Sequence, residues 1–336
     1  DVLIEKKSPK QYVEDMEHEP HVMMLSSYVW NFEYNKELAK RTKEKYPNCL
    51  TITGGPHVDK RDKEFFEKYP MFDIAVMGEG ENASRELLKR YLQGENYNDI
   101  PHVFPKGGEL CPLPTRVQDL NIIPSPILTG FYDKIIERVE KEHGPQMWQV
   151  TYETLRGCPY KCTFCNSPSQ NVLYDNATTG KFFRKRSIDM VRKDLLYLRD
   201  VMKVEYVYFW ADTFFAWSNK EFDEFCEMYK DFKMPFWCQT RVETVTHERI
   251  KKLKEIGLHM LAFGMEHGNE KFRADVIDRK YSNKSAIDAL QIPHEYGVPF
   301  TVNNIIGFPG ETRELAFDTI EINRQWEADQ MSCSIL

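Results

Sequence analysis

Three cysteines, Cys158, Cys162 and Cys165, stand close together in the run Arg156-Gly157-Cys158-Pro159-Tyr160-Lys161-Cys162-Thr163-Phe164-Cys165-Asn166. Thiolates are soft ligands for iron–sulfur centres and zinc, and C-x3-C-x2-C spacing puts three of them on one short loop. The run follows the apolar, β-prone stretch Trp148 to Leu155, so the loop leaves a strand. Three thiolates on a four-iron cluster leave one iron without a protein ligand, open to bind a substrate. A zinc knuckle needs a fourth Cys or His close by, and downstream none occurs before Cys226. An electron-transfer ferredoxin supplies four cysteines per cluster. A disulfide framework does not suit a chain of this size with eight scattered cysteines.

With an aromatic residue before its third cysteine, the motif resembles the signature of the radical S-adenosylmethionine (SAM) superfamily. That resemblance implies a [4Fe–4S] cluster on Cys158, Cys162 and Cys165, with the methionine part of SAM chelating the open iron. It implies reductive cleavage of SAM to a 5′-deoxyadenosyl radical, which takes hydrogen from the substrate. An external electron donor such as flavodoxin or ferredoxin follows.

The elements around the motif fit such a site. From Ser187 onward, helices and strands alternate: strands at Val204–Trp210, Pro235–Gln239, His259–Gly264, Val298–Ile306 and Met331–Leu336, with helices between them. With the cluster strand this makes six βα-type strands, which suit the partial (β/α)6 barrel of the radical SAM fold. Reacting groups of such sheets lie at the carboxyl ends of the strands. Gln239 and Arg241 follow the third strand, and Arg241 is placed to pair with the SAM carboxylate or ribose. Glu266 sits between Gly264 and Gly268, which would clear space for a ligand whose ribose hydroxyls it accepts. The resemblance adds Asp212 at the SAM amino group and Phe164 over the cluster. It makes Asn303, Ile305 and Gly307 part of an adenine-contacting turn. The basic run Arg184-Lys185-Arg186 either steers an acidic substrate or, as favoured here, caps a helix.

Ahead of the motif lies a second α/β pattern. Val2-Leu3-Ile4 reads as a strand, then come a helix near Pro9–Glu17 and strands at His21–Ser27, Leu50–Thr53 and Phe72–Met77. Ser26-Ser27, Gly54-Gly55 and Gly78-Glu79-Gly80 fall at strand ends, where doubly wound sheets bind ligands. Taken one at a time, the glycines need only make tight turns. Together with Tyr28, Trp30 and Pro56, the segment resembles the cobalamin-binding domain ahead of many radical SAM cores. Its glycine pair would let the backbone approach the cobalamin tail. The family's first strand and helix, and any lower cobalt ligand carried there, would precede Val2, so the chain reads as a fragment. The expected organisation is an α/β chain: a Rossmann-like parallel sheet over residues 1–95 lacking the family's first strand, a proline-rich linker over 96–145, and the barrel over 146–336.

Composition bounds the rest. The chain has 336 residues, 41% hydrophobic and 29% charged, with a net charge of −7. The acidic balance argues against a nucleic-acid groove, and no apolar run nears the roughly 20 residues of a membrane span. Free thiols in a cluster motif imply a reducing, cytoplasmic setting. Cys49, Cys111, Cys226, Cys238 and Cys333 lack partner spacing and read as small buried hydrophobes. His57 and His267 read as core or surface residues. The expectation is a cobalamin-dependent radical SAM methyltransferase acting on an unactivated carbon of a small-molecule or peptide substrate. The alternatives are a radical SAM enzyme with a vestigial cobalamin domain doing C–C coupling or cyclisation, and a non-catalytic Fe–S or zinc module.

Overall fold

A computed structural model describes residues 7–58, 64–109, 111, 116–175 and 180–336. The strand expected at Val2-Leu3-Ile4, Pro112 and Pro114 lie outside the described residues. The chain divides into two compact units: Asp1–Arg116 with Ser169–Gly180, and Val117–Pro168 with Lys181–Leu336.

In the first unit, helix α1 (Pro9–Glu14) is opened by Ser8 and Gln11, which satisfy each other's backbone N–H groups as a capping box. Strand β1 (Val22–Ser26), helix α2 (Phe32–Lys45), β2 (Leu50–Gly54), α3 (Glu64–Lys68), β3 (Ile74–Val76), α4 (Glu81–Gln93) and β4 (Val103–Pro105) follow. The sheet order is β1-β2-β3-β4. The first three strands are parallel, with Ser26 beside Gly54 and Gly54 beside Val76 at one end. Strand β4 pairs antiparallel with β3. Residues expected to be linker therefore form an edge strand of this sheet, because Val103 and Phe104 are both apolar and bury against it. Alternation along β3 explains the layering. Ala75 joins Met23, Leu25 and Phe104 against the face covered by α2. Ile74 and Val76 join Ile52 against Ala83 and Leu87 of α4.

The second unit begins with helix α5 (Phe131–His143) and β5 (Gln149–Tyr152). After β6 (Leu155–Arg156) come the cysteine loop, α6 (Asn166–Asp175), which runs on into the first unit, and β7 (Arg184–Lys185). Then α7 (Ile188–Asp200), β8 (Tyr206–Phe209), α8 (Asn219–Tyr229), β9 (Phe236–Arg241), α9 (His247–Ile256), β10 (Leu258–Glu266), α10 (Glu270–Asp275), α11 (Asn283–Glu295), β11 (Phe300–Ile306), α12 (Arg313–Asn323) and β12 (Gln330–Ile335) alternate. Six strands form one sheet in the order β12-β11-β10-β9-β8-β5, every pair parallel. Each helix returns the chain to the next position on the sheet, as right-handed βα units do.

The aromatic content explains this unit's solidity. Phe209 meets Phe214, Phe225, Tyr229 and Phe236 with ring centroids 5.3–5.6 Å apart. Phe209, Phe236, Cys238, Leu261, Phe263, Phe300 and Val302 belong to one buried core. The alternate positions Gln239, Arg241, Gly264, Asn303 and Ile305 therefore share the opposite face. Register aligns three of them: Gly264 lies beside Arg241 on one side and Asn303 on the other.

The Arg184-Lys185-Arg186 run does not cap a helix. Arg184 and Lys185 form β7, paired antiparallel with β6. Arg184 is buried and donates to the carbonyls of Val117 and Phe182, Lys185 pairs with Glu221, and Ser187 caps α7.

Candidate cluster and cofactor site

Gly157 lets the cysteine loop form. It holds φ +78°, and a Cβ there would come within 2.6 Å of the Phe182 carbonyl oxygen. The loop is then pinned to the segment after α10: the Thr163 N–H donates to the Ile277 carbonyl, and Thr163 Oγ1 to that of Val276 at 2.6 Å. Phe164 packs with Phe308, Ile305, Ile277 and Phe272 in a small separate core.

The three thiols are free and share one neighbourhood, Cys162 buried, Cys158 half-buried and Cys165 exposed. Partial desolvation beneath the loop pushes the Cys158 and Cys165 thiols up, and the charges of Asp212 and of the neighbouring cysteines add to it. Such thiols gain most from a cationic centre that binds them deprotonated. Among the described residues, no three His, Cys, Asp or Glu side chains close around a single metal ion. Three soft thiolate donors on one loop suit an iron–sulfur cluster.

Around the triad, several of the expected SAM contacts have partners within the protein. Arg241 does not stand free for a ligand: it pairs with Glu243, stacks 3.8 Å over the Tyr160 ring and donates to Cys162 Sγ at 2.9 Å. Glu266 is buried and paired with Arg279 at 3.0 Å. Burial pushes its carboxyl up while the Arg279 and Arg241 charges pull it down. The glycines beside it clear space for the protein itself. A Cβ on Gly264 would meet Glu266 Oε1, and one on Gly268 the backbone of Asp318. Gln239 donates to the Ala211 carbonyl at 3.0 Å. Asp212 lies beside Ser167, and partial desolvation with the Glu153 charge raises its carboxyl. Asn303 accepts from Ser332 at 2.7 Å. Gly307 takes φ +85°. Its N–H and that of Phe308 donate to Glu311, whose other oxygen meets the buried His267 at 3.0 Å. His267 is thus a core residue.

Arg279 was not legible in the sequence, where Asp278-Arg279-Lys280 looks like a solvated charge run. Asp278 takes φ +59°, and Arg279 is buried, donating to the Gly264 carbonyl and to Cys162 Sγ at 3.4 Å. No spacing rule reports a left-handed aspartate.

In the first unit the cobalamin-directed residues gather at one sheet end. Asn35 donates to Ser27 Oγ and to the Ser26 carbonyl; Ser27 Oγ also bonds Thr53 at 3.0 Å. Gly55 holds φ +96°, and a Cβ would lie 2.8 Å from the Ser27 carbonyl oxygen. That glycine is demanded by the Ser27 backbone, whatever ligand approaches. A Cβ on Gly54 would lie 3.2 Å from the Val76 carbonyl oxygen, a looser approach. Pro56 and His57 are exposed, and His57 lies against Phe32. Tyr28 and Trp30 stack at 4.5 Å, and Trp30 is 76% exposed. Gly78 takes φ +69°, Glu79 is half-buried, and Gly80 opens α4, so these residues surround a helix N-terminus.

Residues 152–321 match the family model described as the radical SAM superfamily, half of the chain. The chain belongs to the radical SAM superfamily. Residues 3–88 match the B12 binding domain. Two curated relatives are the cobalamin-dependent radical SAM methyltransferase TokK of Streptomyces tokunonensis and the uncharacterized methyltransferase PH0819 of Pyrococcus horikoshii. The first is 39% identical over 188 residues, 55% of this chain and 27% of that protein. The second is 28% identical over 302 residues, 89% of this chain and 62% of that protein. Among solved structures, TsrM from Kitasatospora setae superposes with TM-score 0.70 at 14% identity, over 97% of this chain and 64% of that one. OxsB superposes at 0.67 and 18%, over 93% and 44%. At these identities the likeness is one of fold. The family's [4Fe–4S] cluster and SAM, and cobalamin for the matched B12 domain, are the cofactors. Among the described residues no helix is long and apolar enough to cross a membrane.

Proposed function

We propose that this chain carries the core of a cobalamin-dependent radical SAM methyltransferase that alkylates an unactivated carbon of a small molecule or peptide. The observation that carries the reading is the joint presence of the cysteine triad at the start of a six-stranded parallel sheet and a B12-type domain ahead of it. Relatives with methyltransferase names support it. Cys158, Cys162 and Cys165 would hold the cluster. Phe164, Ile305 and the Gly307 turn offer an apolar wall and a backbone edge for adenine, with Asn303, Gln239 and Asp212 supplying polar contacts. Ser26, Ser27, Tyr28, Trp30, Pro56 and Gly78 to Gly80 would hold the corrinoid. When bound, the cluster and SAM supply one-electron reductive cleavage, and cobalamin supplies a methyl carrier. The protein's part is to orient these groups and exclude water. A cytoplasmic flavodoxin- or ferredoxin-type donor would supply the electron.

A second reading has its own support: relatives named anaerobic magnesium-protoporphyrin IX monomethyl ester cyclase match 95% of the chain at 22% identity. It would make the product a ring closure, with a vestigial cobalamin domain that holds no corrinoid. Full-length protein purified anaerobically and supplied with excess corrinoid separates the two. Retained corrinoid in the visible spectrum, weakened roughly fivefold in affinity in Trp30→Ala, is the expected result; a π-stacked contact of about 1 kcal/mol sets that scale. Protein that cleaves SAM yet retains no corrinoid would sink the methyltransferase reading.

A further inference from the structure

Cys162 differs from its two companions in what donates to it. Cys158 Sγ lies 3.7 Å from Thr213 Oγ1, and Cys165 Sγ accepts the Ser167 backbone N–H at 3.4 Å, both neutral groups. Cys162 Sγ instead accepts from two guanidiniums, Arg241 Nη1 at 2.9 Å and Arg279 Nε at 3.4 Å. Both arginines are buried, and each keeps a carboxylate, Glu243 for Arg241 and Glu266 for Arg279. Each also lies over a ring of the cysteine loop, Arg241 over Tyr160 and Arg279 over Phe164.

A purely structural role does not account for this arrangement. Arg273, equally buried, spends its N–H groups on the His267 and Tyr281 carbonyls and on Asn283 Oδ1. A neutral thiol is a weak acceptor, so directing two buried cations at one sulfur is favourable chiefly when that sulfur carries charge.

We propose that Arg241 and Arg279 are positioning residues that set the reduction potential of the cluster through Cys162. The inference rests on reading the triad as the cluster site. Three thiolates on a dicationic four-iron core give a net charge of −1. One electron from an external one-electron donor makes it −2, with no bond made or broken and no proton moved. Hydrogen bonds to the sulfurs and local charge are the protein's means of tuning such potentials. Charge-assisted N–H groups in a low-dielectric interior stabilise the more negative form, and so raise the potential.

The test is a potentiometric titration of the reconstituted full-length protein, read by electron paramagnetic resonance of the reduced cluster. The variants are Arg279→Lys and the pair Arg279→Met with Glu266→Gln, which removes the guanidinium without stranding its carboxylate. The exposed Arg192→Gln serves as control. We expect the double variant to lose about tenfold in reduced-to-oxidised ratio at a fixed potential, a fall of about 59 mV for a one-electron couple. Arg279→Lys should fall between it and wild type, and the control should match wild type. An unchanged midpoint in a double variant with full iron and sulfide content overturns the proposal. If the double variant assembles no cluster, an Arg279→Lys midpoint equal to wild type overturns it instead. Wild-type protein that takes up no iron overturns the cluster reading itself, a failure seen in the iron assay before any potential is read.

Discussion

His267 and Glu311 meet at 3.0 Å in the interior, tying the end of β10 to the turn after β11. Burial holds the imidazole below its ordinary value, although Glu311 pulls it upward. The sign of the pH effect follows. A histidine whose folded value is depressed binds fewer protons folded than unfolded in the window just below about 6.5. Its stabilisation is therefore fully present above that value and is lost as pH falls through the folded one. Urea midpoints measured between about pH 7.5 and 5.5 should fall on acidification, and His267→Gln should flatten that fall. An identical slope in both proteins would rule the pair out as its source. Residue identity gave the sequence reading Cys158, Cys162 and Cys165, whose ligand chemistry depends on spacing alone. It did not show the protein partners of Glu266 and Arg241, namely Arg279 and Cys162, which come from elsewhere in the chain. Contacts between positions distant in sequence leave no periodic trace.

At the scale of elements, what was legible were the segments with long runs and clear stops. Helix α9 is bounded by Thr246, whose side chain caps it, and by Gly257 in the left-handed conformation. Short elements escaped: α3, α10 and β4 have six residues or fewer and too little periodicity to read. Helix α10 owes its place to Arg273, fully buried and bonded to the segments on either side of it. The same residues lead to Asp278 and Arg279, so this helix indirectly orients a cluster contact. Arg273→Met should destabilise the second unit by about 3 kcal/mol, since one buried and two part-buried acceptors lose a charged donor together. Guanidinium melts of the apo protein would measure it; a loss below about 1 kcal/mol, the scale of one ordinary hydrogen bond, would mean solvent reaches those carbonyls.

At the scale of the whole chain, sequence continuity and structural units part company. The expected boundaries cut the chain into consecutive pieces, whereas the first unit takes in Ser169–Gly180, which follow the cysteine loop. Nothing in hydrophobic period distinguishes a segment that returns to an earlier unit. Within that unit the buried Arg116 donates to the Asn171 carbonyl at 2.8 Å and more weakly to that of Gln170. Those carbonyls lie in the middle of α6 and already face intrahelical N–H groups, so Arg116 adds a charge-assisted donor to them. Helix α6 itself begins at Asn166, one residue after the third cysteine. Charge-assisted bonds of this kind contribute about 1.5–3 kcal/mol. Arg116→Met should therefore speed amide hydrogen exchange in the segment from Ser169 by roughly tenfold or more while sparing β8 to β10, because local opening is governed by local free energy. Exchange that rises equally across β8 to β10 would place Arg116 in the global core, and unchanged exchange would show that the segment is held by other contacts.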